Sequence, residues 1–312
     1  MTGVDAPVVP SGTVRAADLA TVAQLACLLE AAAPKPGNVS PGRHFADARY
    51  EDFLASAAAI GGPLAGAGAR GIGATVRLAV EATARWTSSN TNLGLILLLA
   101  PLARAAQVRL HAADAAQPSG EGFTRTLRDA VREVLDTTTV DDARDVYAAI
   151  RQAAPGGLGS ADAEDVANEP TLPLLDVMAL AAHRDGIARE YATAFDTTFE
   201  IGAPALARAR REGLCWDDAV VETFLVLLAA APDTHVARRG GAALAEAAST
   251  RARDVLAVGG VRSAPGRRAL DDMDRALRDP QNSANPGTTA DLTAAAIFVA
   301  LIDGAWPVRP RA

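Results

Sequence analysis

Apolar residues along this chain recur at spacings of three and four, with little strict alternation and few clusters of valine or isoleucine, so the pattern predicts helices and no sheet. The spacing predicts helices over about residues 14–32, 50–60, 71–87, 92–106, 122–136, 140–153, 172–211, 216–230, 235–258, 266–278 and 288–304. The long span at 172–211 is expected to break near Gly202 and Pro204, because proline cannot supply the amide proton that a helix interior needs. Thr139-Val140-Asp141-Asp142 and Thr288-Thr289-Ala290-Asp291 have the Ser/Thr-x-x-acid form of a capping box, which marks two helix starts. The expectation is an all-α fold: a single compact multi-helix domain of about ten to twelve helices over residues 14–312, after a disordered tail at 1–13. Pro155-Gly156-Gly157-Leu158-Gly159 and residues 162–173 form the most loop-like stretch in mid-chain, but the polar clusters described next fall on both sides of it, which argues against a domain boundary.

Composition narrows the function classes. The 312 residues are 49% hydrophobic and 21% charged, an ordinary globular balance, and the net charge of −7 argues against a nucleic-acid or anionic-membrane surface, which needs clustered positive charge. The longest apolar run, Leu93 to Ala103, is too short to span a bilayer and contains Pro101, and the first ten residues lack the basic and apolar regions of a signal peptide. A cytoplasmic protein is therefore expected, with no membrane or nucleic-acid partner and with a homo-oligomer left open. Cys27 and Cys215 sit in apolar surroundings and read as small core residues in a reducing compartment. Of the 30 basic residues 29 are arginine, and the lone lysine is Lys35. A single ammonium kept between two prolines points to a place where a compact charge works and a planar guanidinium does not.

Four polar clusters carry candidate chemistry. Glu30 is followed by Pro34-Lys35-Pro36-Gly37-Asn38, a rigid turn that could hold Lys35 and Asn38 ready for a phosphate. Ser88-Ser89-Asn90-Thr91-Asn92-Leu93-Gly94 opens an apolar helix, where free amides favour an anion and Asn90 and Asn92 can bond sugar hydroxyls or a base edge. In the stretch from His183 to Glu200, a continuous helix would put Asp185, Arg189, Asp196 and Glu200 on one face. Asp196 and Glu200 are like charges at i,i+4, so either Arg189 or a bound Mg²⁺ should relieve them. Finally, Asp233-Thr234-His235 with Arg238-Arg239-Gly240-Gly241, and Asn285-Pro286-Gly287-Thr288-Thr289-Ala290-Asp291, make a phosphate-binding helix start in which Asp291 becomes useful if a magnesium ion lies between it and the phosphate. No Walker A or dinucleotide fingerprint is present.

In this order the clusters resemble the triphosphoribosyl-dephospho-CoA synthase family, through Glu30 with Pro34-Lys35-Pro36-Gly37, Asn90-Thr91-Asn92-Leu93-Gly94, Asp233-Thr234 with Arg238-Arg239-Gly240-Gly241, and Asn285-Pro286-Gly287 with Ala290-Asp291-Leu292. The resemblance implies an all-α transferase that moves the triphosphoribosyl group of ATP to the 2′-hydroxyl of 3′-dephospho-CoA, releasing adenine, with Mg²⁺ as cofactor. It implies phosphate and metal work for Lys35, Arg238, Asp233 and Asp291, sugar or base contacts for Asn90 and Asn92, and catalytic roles for Lys35, Asp185 and Glu190, with the general base one of the two carboxylates. Asn38, Arg184, Arg189, Asn285, Gly287 and Thr288 complete the expected nucleotide contacts, with Asp196 and Glu200 as further metal candidates. Asn38-Val39-Ser40 and Asn92-Leu93-Gly94 stand where lyase-associated members have Leu-Val-Asp and His-Lys-Gly, so the chain looks like a divergent branch found in archaea and in bacteria using pterin one-carbon cofactors. That leaves two alternatives: a ribosyl transfer to a pterin-type precursor, or a nucleotide-binding helical protein without turnover.

Overall fold

The computed structural model describes residues 14–115 and 126–304, and among them all regular structure is helical. The chain runs through α1 (Leu19–Ala32), α2 (Tyr50–Ala59), α3 (Gly61–Ala65), α4 (Ile72–Ala84), α5 (Leu93–Ala115), α6 (Leu127–Asp136) and α7 (Val140–Ala153). A loop of about twenty residues follows, and then α8 (Leu174–Ala181), α9 (Gly186–Ala192), a π-helical segment (Thr197–Gly202) continuous with α10 (Ala203–Arg211), and α11 (Trp216–Ala230). The last quarter holds α12 (Thr234–Gly240), α13 (Ala242–Ala257), α14 (Ala264–Ala276) and α15 (Gly287–Ile302). The all-α expectation holds, while the helices outnumber the ten to twelve expected because two long predicted spans are cut into pieces and the short α3 was not anticipated. The tail at residues 1–13 lies outside the described residues.

Helices α5 and α15 pack against each other at the centre, with α1, α10 and α11 around them. Leu98, Leu99 and Leu102 of α5 and Ala294 to Phe298 of α15 are fully buried, as a helix that is apolar all round must be. Leu93 to Leu110 is long and apolar enough to cross a membrane by length and composition, but 78% of that window is buried against the rest of the protein, which is how a core helix behaves.

Pro101 sits inside α5 and has no amide proton, so the Leu97 carbonyl one turn earlier loses its helical partner. The hydroxyl of Tyr191, on α9, donates to that carbonyl at 2.7 Å. This bond is fully buried and fixes α9 against the central helix.

The predicted helix at 172–211 breaks twice, and not where expected. The first break ends at Asp185, whose Oδ1 accepts from the amides of Ile187 and Ala188 and so caps α9. The second is at Ala194 and Phe195, both with positive φ, where the buried Glu190 carboxylate accepts from the amides of Thr197 and Thr198 and from the Thr198 hydroxyl. Gly202 and Pro204 pass without interruption, because Pro204 falls in the first turn of α10, where no amide donor is required. The acidic face drawn for a continuous helix therefore does not exist. Asp196 and Glu200 pair with Arg128 of α6, which also donates to the carbonyls of Thr193 and Ala194. The cation that relieves them is Arg128, not Arg189, whose guanidinium donates to the Ala182 carbonyl instead.

The Thr139 capping box forms as expected, with Asp142 as its acid. The Thr288 box does not: α15 starts at Gly287, the side chain of its preceding residue Pro286 gives no cap, and Asp291 points elsewhere.

Tyr191→Phe removes the only side-chain donor to the Leu97 carbonyl among the described residues and leaves a buried acceptor unsatisfied. The expected cost is about 1–3 kcal/mol in urea unfolding, with secondary structure unchanged by circular dichroism.

Candidate active site

One large cavity, of about 1760 Å³, opens between the ends of α1, α5, α8, α9, α12 and α15 and the loops that join them. Each of the four polar clusters contributes to its wall.

From the first cluster come Glu30, at the end of α1, and Asn38. The turn between them is clamped from the far end of the chain. The Gly37 amide donates to Asp274, the Asn285 amide group donates to the Gly37 carbonyl and to Asn38 Oδ1, and Arg278 donates to the Asn38 carbonyl. Gly37 has φ +71°, and a Cβ there would lie 2.9 Å from the Leu277 Cβ, so both its conformation and its packing require glycine.

The second cluster lines the cavity with residues 88–95. Asn90 caps α5 through its side-chain oxygen, which accepts from the Leu93 amide at 3.2 Å, and the buried Asn92 donates to the Thr83 hydroxyl. Thr91 bonds Ser56, and Ser89 donates to the Asp47 carbonyl, which ties this wall to the loop carrying Phe45 and Asp47. Gly94 is at the closest approach: a Cβ there would run into the Asp291 carboxylate.

From the third cluster, Arg184 and Asp185 face the cavity. One Asp185 oxygen caps α9, and the other lies 3.4 Å from Arg238 on α12. The Nε of Arg238 is buried without a partner in the protein. The mid-chain loop completes this wall: Gly157 packs on Arg238, Arg151 donates to the Val166 carbonyl, and Asp165 is held ionised by the amides of Ala167 and Ala161 with help from Arg184.

The fourth cluster supplies Thr234, His235, Arg238, Arg239, Asn285, Gly287, Thr288 and Asp291. Asp233 is buried beneath them and holds two helix starts together. Its Oδ1 accepts from the Val236 amide of α12, and its Oδ2 accepts from the amide and hydroxyl of Thr289 on α15, both at 2.7 Å. The Thr234 and Thr288 hydroxyls are 3.1 Å apart, and Gly186 donates to Thr234, so α9, α12 and α15 meet at one point. His235 Nδ1 lies 3.1 Å from the Asn285 carbonyl, and burial pushes its pKa down, which keeps the ring neutral.

Asp291 makes no hydrogen bond or ion pair among the described residues. Burial, and then the charges of Glu30, Asp233 and Asp185, push its pKa well above the ordinary carboxylate range, with Arg238 opposing. The same burial, with Glu30 and Asp291 nearby, raises the Cys27 thiol, so Cys27 is a poor nucleophile.

The cavity thus gathers Asn38, Asn90, Asn92, Arg184, Asp185, Arg238, Asn285, Gly287, Thr288 and Asp291 of the residues picked out by sequence. It does not gather the others. Lys35 is fully buried behind the wall and is ion-paired with Glu30. Asp233 and Glu190 have their carboxylates occupied by backbone amides, and Arg189, Asp196 and Glu200 bond at the protein surface. Sequence reasoning gave Glu30 a place in a motif but no role, and it passed over Arg151 in the last turn of α7 and Asp165 in the loop that follows, whose composition carries no signal of a site. Among the described residues no group of three or more His, Cys, Asp or Glu side chains is arranged to hold a metal ion by itself.

An all-helical frame around one cavity lined by carboxylates and arginines defines the class, an all-α protein with a charged cavity. Within that class the chain belongs to the CitG family, described as ATP:dephospho-CoA triphosphoribosyl transferase, whose model matches residues 16–310. A crystal structure assigned as a triphosphoribosyl-dephospho-CoA synthase from Archaeoglobus fulgidus superposes with a TM-score of 0.58 at 29% identity, covering 80% of this chain and 99% of that one. Similar curated proteins, assigned as 2-(5″-triphosphoribosyl)-3′-dephosphocoenzyme-A synthases, come from Pseudomonas paraeruginosa (38% identical over 115 residues) and Pseudomonas aeruginosa strain UCBPP-PA14 (37% over 125). Those matches cover 36% and 39% of this chain and only 39% and 42% of the relatives' own lengths.

The raised pKa of Asp291 has a stability consequence. A carboxylate whose folded pKa lies above its unfolded value loses stability as pH rises through the folded pKa, and shows no such loss below the unfolded one. In metal-free protein Asp291→Asn is therefore expected to melt higher than wild type at pH 8, by roughly 2 °C or more, with the difference closing towards pH 4. Differential scanning calorimetry across that range checks the sign.

Proposed function

We propose that this chain transfers the triphosphoribosyl group of ATP to the 2′-hydroxyl of 3′-dephospho-CoA and releases adenine. The observation that carries the reading is the convergence of all four family motifs on one cavity, together with membership of the family over nearly the whole chain. In the reaction the bond between ribose C1′ and the adenine nitrogen breaks and its electron pair leaves with adenine. A bond from the acceptor oxygen to C1′ forms, and the hydroxyl proton passes to a base. The sugar goes through an oxocarbenium-like state, which nearby carboxylates stabilise.

The residues divide accordingly. Arg184 and Arg238, with Arg151 beside them, are placed to bind the triphosphate, and the unpartnered Arg238 Nε is a donor that a phosphate oxygen would satisfy. At the start of α15 the Gly287 amide donates to the Asn285 carbonyl, which leaves the Thr288 amide of the first turn to add a phosphate contact. Asn90, Asn92 and Asn285 serve sugar or base, with Phe45 and Phe53 on the same side as the Asn90 wall. Of the two candidates for general base we retain Asp185, since Glu190 has both oxygens occupied away from the cavity.

Mg²⁺ fits the site as part of a metal–nucleotide pair. Among the described residues Asp291 offers a carboxylate without a hydrogen-bond or ion-pair partner, and one carboxylate suffices for magnesium, which uses one or two and takes its other ligands from water and phosphate. When bound it would neutralise triphosphate charge. Asp233, Asp196 and Glu200, named as metal candidates from sequence, have other partners, and Lys35 is not presented to a phosphate.

The test is adenine release from ATP and Mg²⁺ with dephospho-CoA as acceptor. Wild type is expected to release adenine stoichiometrically with product; release only with a pterin-type riboside would overturn the acceptor, and none with either acceptor would overturn the transfer. Gly94→Ala, which drives a methyl into the Asp291 carboxylate, is expected to lower kcat about 100-fold with the fold intact, measured by the same assay and by melting temperature. Mg²⁺ with ATP should raise the melting temperature of wild type more than that of Asp291→Asn.

A further inference from the structure

The Glu30–Lys35 pair is built in a way that neither a helix stop nor a phosphate contact explains. Lys35 is fully buried, and its ammonium has an acceptor for each of its protons: Glu30 Oε1 at 2.9 Å, the Ala33 carbonyl at 3.2 Å, and the Glu30 carbonyl. It does not reach the cavity. Glu30 does, and among the described residues its carboxylate has no other ion-pair partner. The pair therefore presents its negative end to the cavity and keeps its positive end in the protein, beside Asp291 on the facing helix α15 and Cys27 one turn back on α1.

An ion pair buried in this way is a poor stabilising device, since desolvation offsets most of the attraction and two apolar residues would serve as well. Its retention as a pair with one open face points to the cavity. The geometry also explains why the position holds lysine in a chain that otherwise uses arginine throughout: three single acceptors around one point suit an ammonium, and a planar guanidinium would not fit among them.

We propose that Glu30 is a catalytic residue of this cavity, the fixed negative charge set against the positive charge that develops on the ribose ring, and that Lys35 is its buried positioning residue. The role rests on the transfer reaction proposed above. Glu30 forms no bond to the sugar. It lowers the energy of the cationic transition state, and Lys35 acts only through it, by holding the carboxylate in one orientation before the substrate arrives.

The experiment is a double-mutant cycle with Glu30→Gln, Lys35→Met and the two combined. Glu30→Gln alone leaves the Lys35 charge buried without its partner and is at risk of unfolding, so the decisive variant is Glu30→Gln with Lys35→Met, which removes both charges at nearly constant volume. In the adenine-release assay the double variant is expected to lose about 100-fold in kcat with KM for ATP changed less than about threefold, and to be no worse than Glu30→Gln. A double variant with kcat within about threefold of wild type overturns the proposal, since the pair would then be structural only. A second readout does not depend on the acceptor. In the presence of inorganic tripolyphosphate, wild type is expected to bind the cationic sugar mimic 1,4-dideoxy-1,4-iminoribitol about tenfold more tightly than neutral 1,4-anhydroribitol, and the double variant to lose that preference. Loss of preference in a protein that shows no transfer to dephospho-CoA would overturn the acceptor and leave the role of Glu30 standing, whereas a preference kept by the double variant, or absent from wild type, overturns the role itself.

Discussion

The arrangement of the cavity depends on the carboxylate of Asp233. It lies below the cavity and answers to two helices at once, with one oxygen on the first turn of α12 and the other on the first turn of α15. Each helix start has amides with no partner of its own, and a buried carboxylate between them satisfies donors on both. Because α12 carries Arg238 and α15 carries Asp291, this single side chain sets the spacing between an arginine and an acid that both line the cavity. Asp185 does the same on a smaller scale, capping α9 with one oxygen and meeting Arg238 with the other. Helix capping and site geometry are thus one set of bonds in this protein.

The fold was legible in sequence wherever periodicity and a cap coincided. α7 and α11 run over the predicted residues because a Thr139 capping box and a long apolar face leave no ambiguity. The failures have separate physical causes. The span 172–211 keeps its helical spacing across two breaks, and the break at Ala194 and Phe195 is held by Glu190 and by Arg128 from a distant helix. The Arg128 contact to the Ala194 carbonyl is made across 66 residues and leaves no local trace. Gly202 and Pro204, which do look like breakers, are accommodated because the proline falls in a first turn. The prediction at 235–258 missed the split at Gly241, whose φ of +90° turns the chain between α12 and α13.

The site was legible at the level of motifs and less so at the level of roles. Asn92, Arg238 and Asp291 were named from their chemistry and do face one cavity. Lys35 and Asp233 were named for the same reason and lie one layer behind it, each holding a residue in front: Lys35 holds Glu30, and Asp233 holds the start of α15. Sequence shows which residues form a polar cluster, but whether a side chain points at a ligand or at its neighbour is settled by packing. Asp196 and Glu200 show the opposite error, since their pairing with Arg128 makes a structural brace out of an apparent cation site.

That Lys35 is the chain's single lysine, fully buried, also makes it a reporter. An amine-directed acylating reagent has one side-chain target in this protein, and it reaches that target only when the Pro34-Lys35-Pro36-Gly37 turn lifts away from Asp274 and Asn285. The rate at which residue 35 acquires a label is then a clock for the opening of one turn, read without any engineered probe and with no competing signal from other lysines.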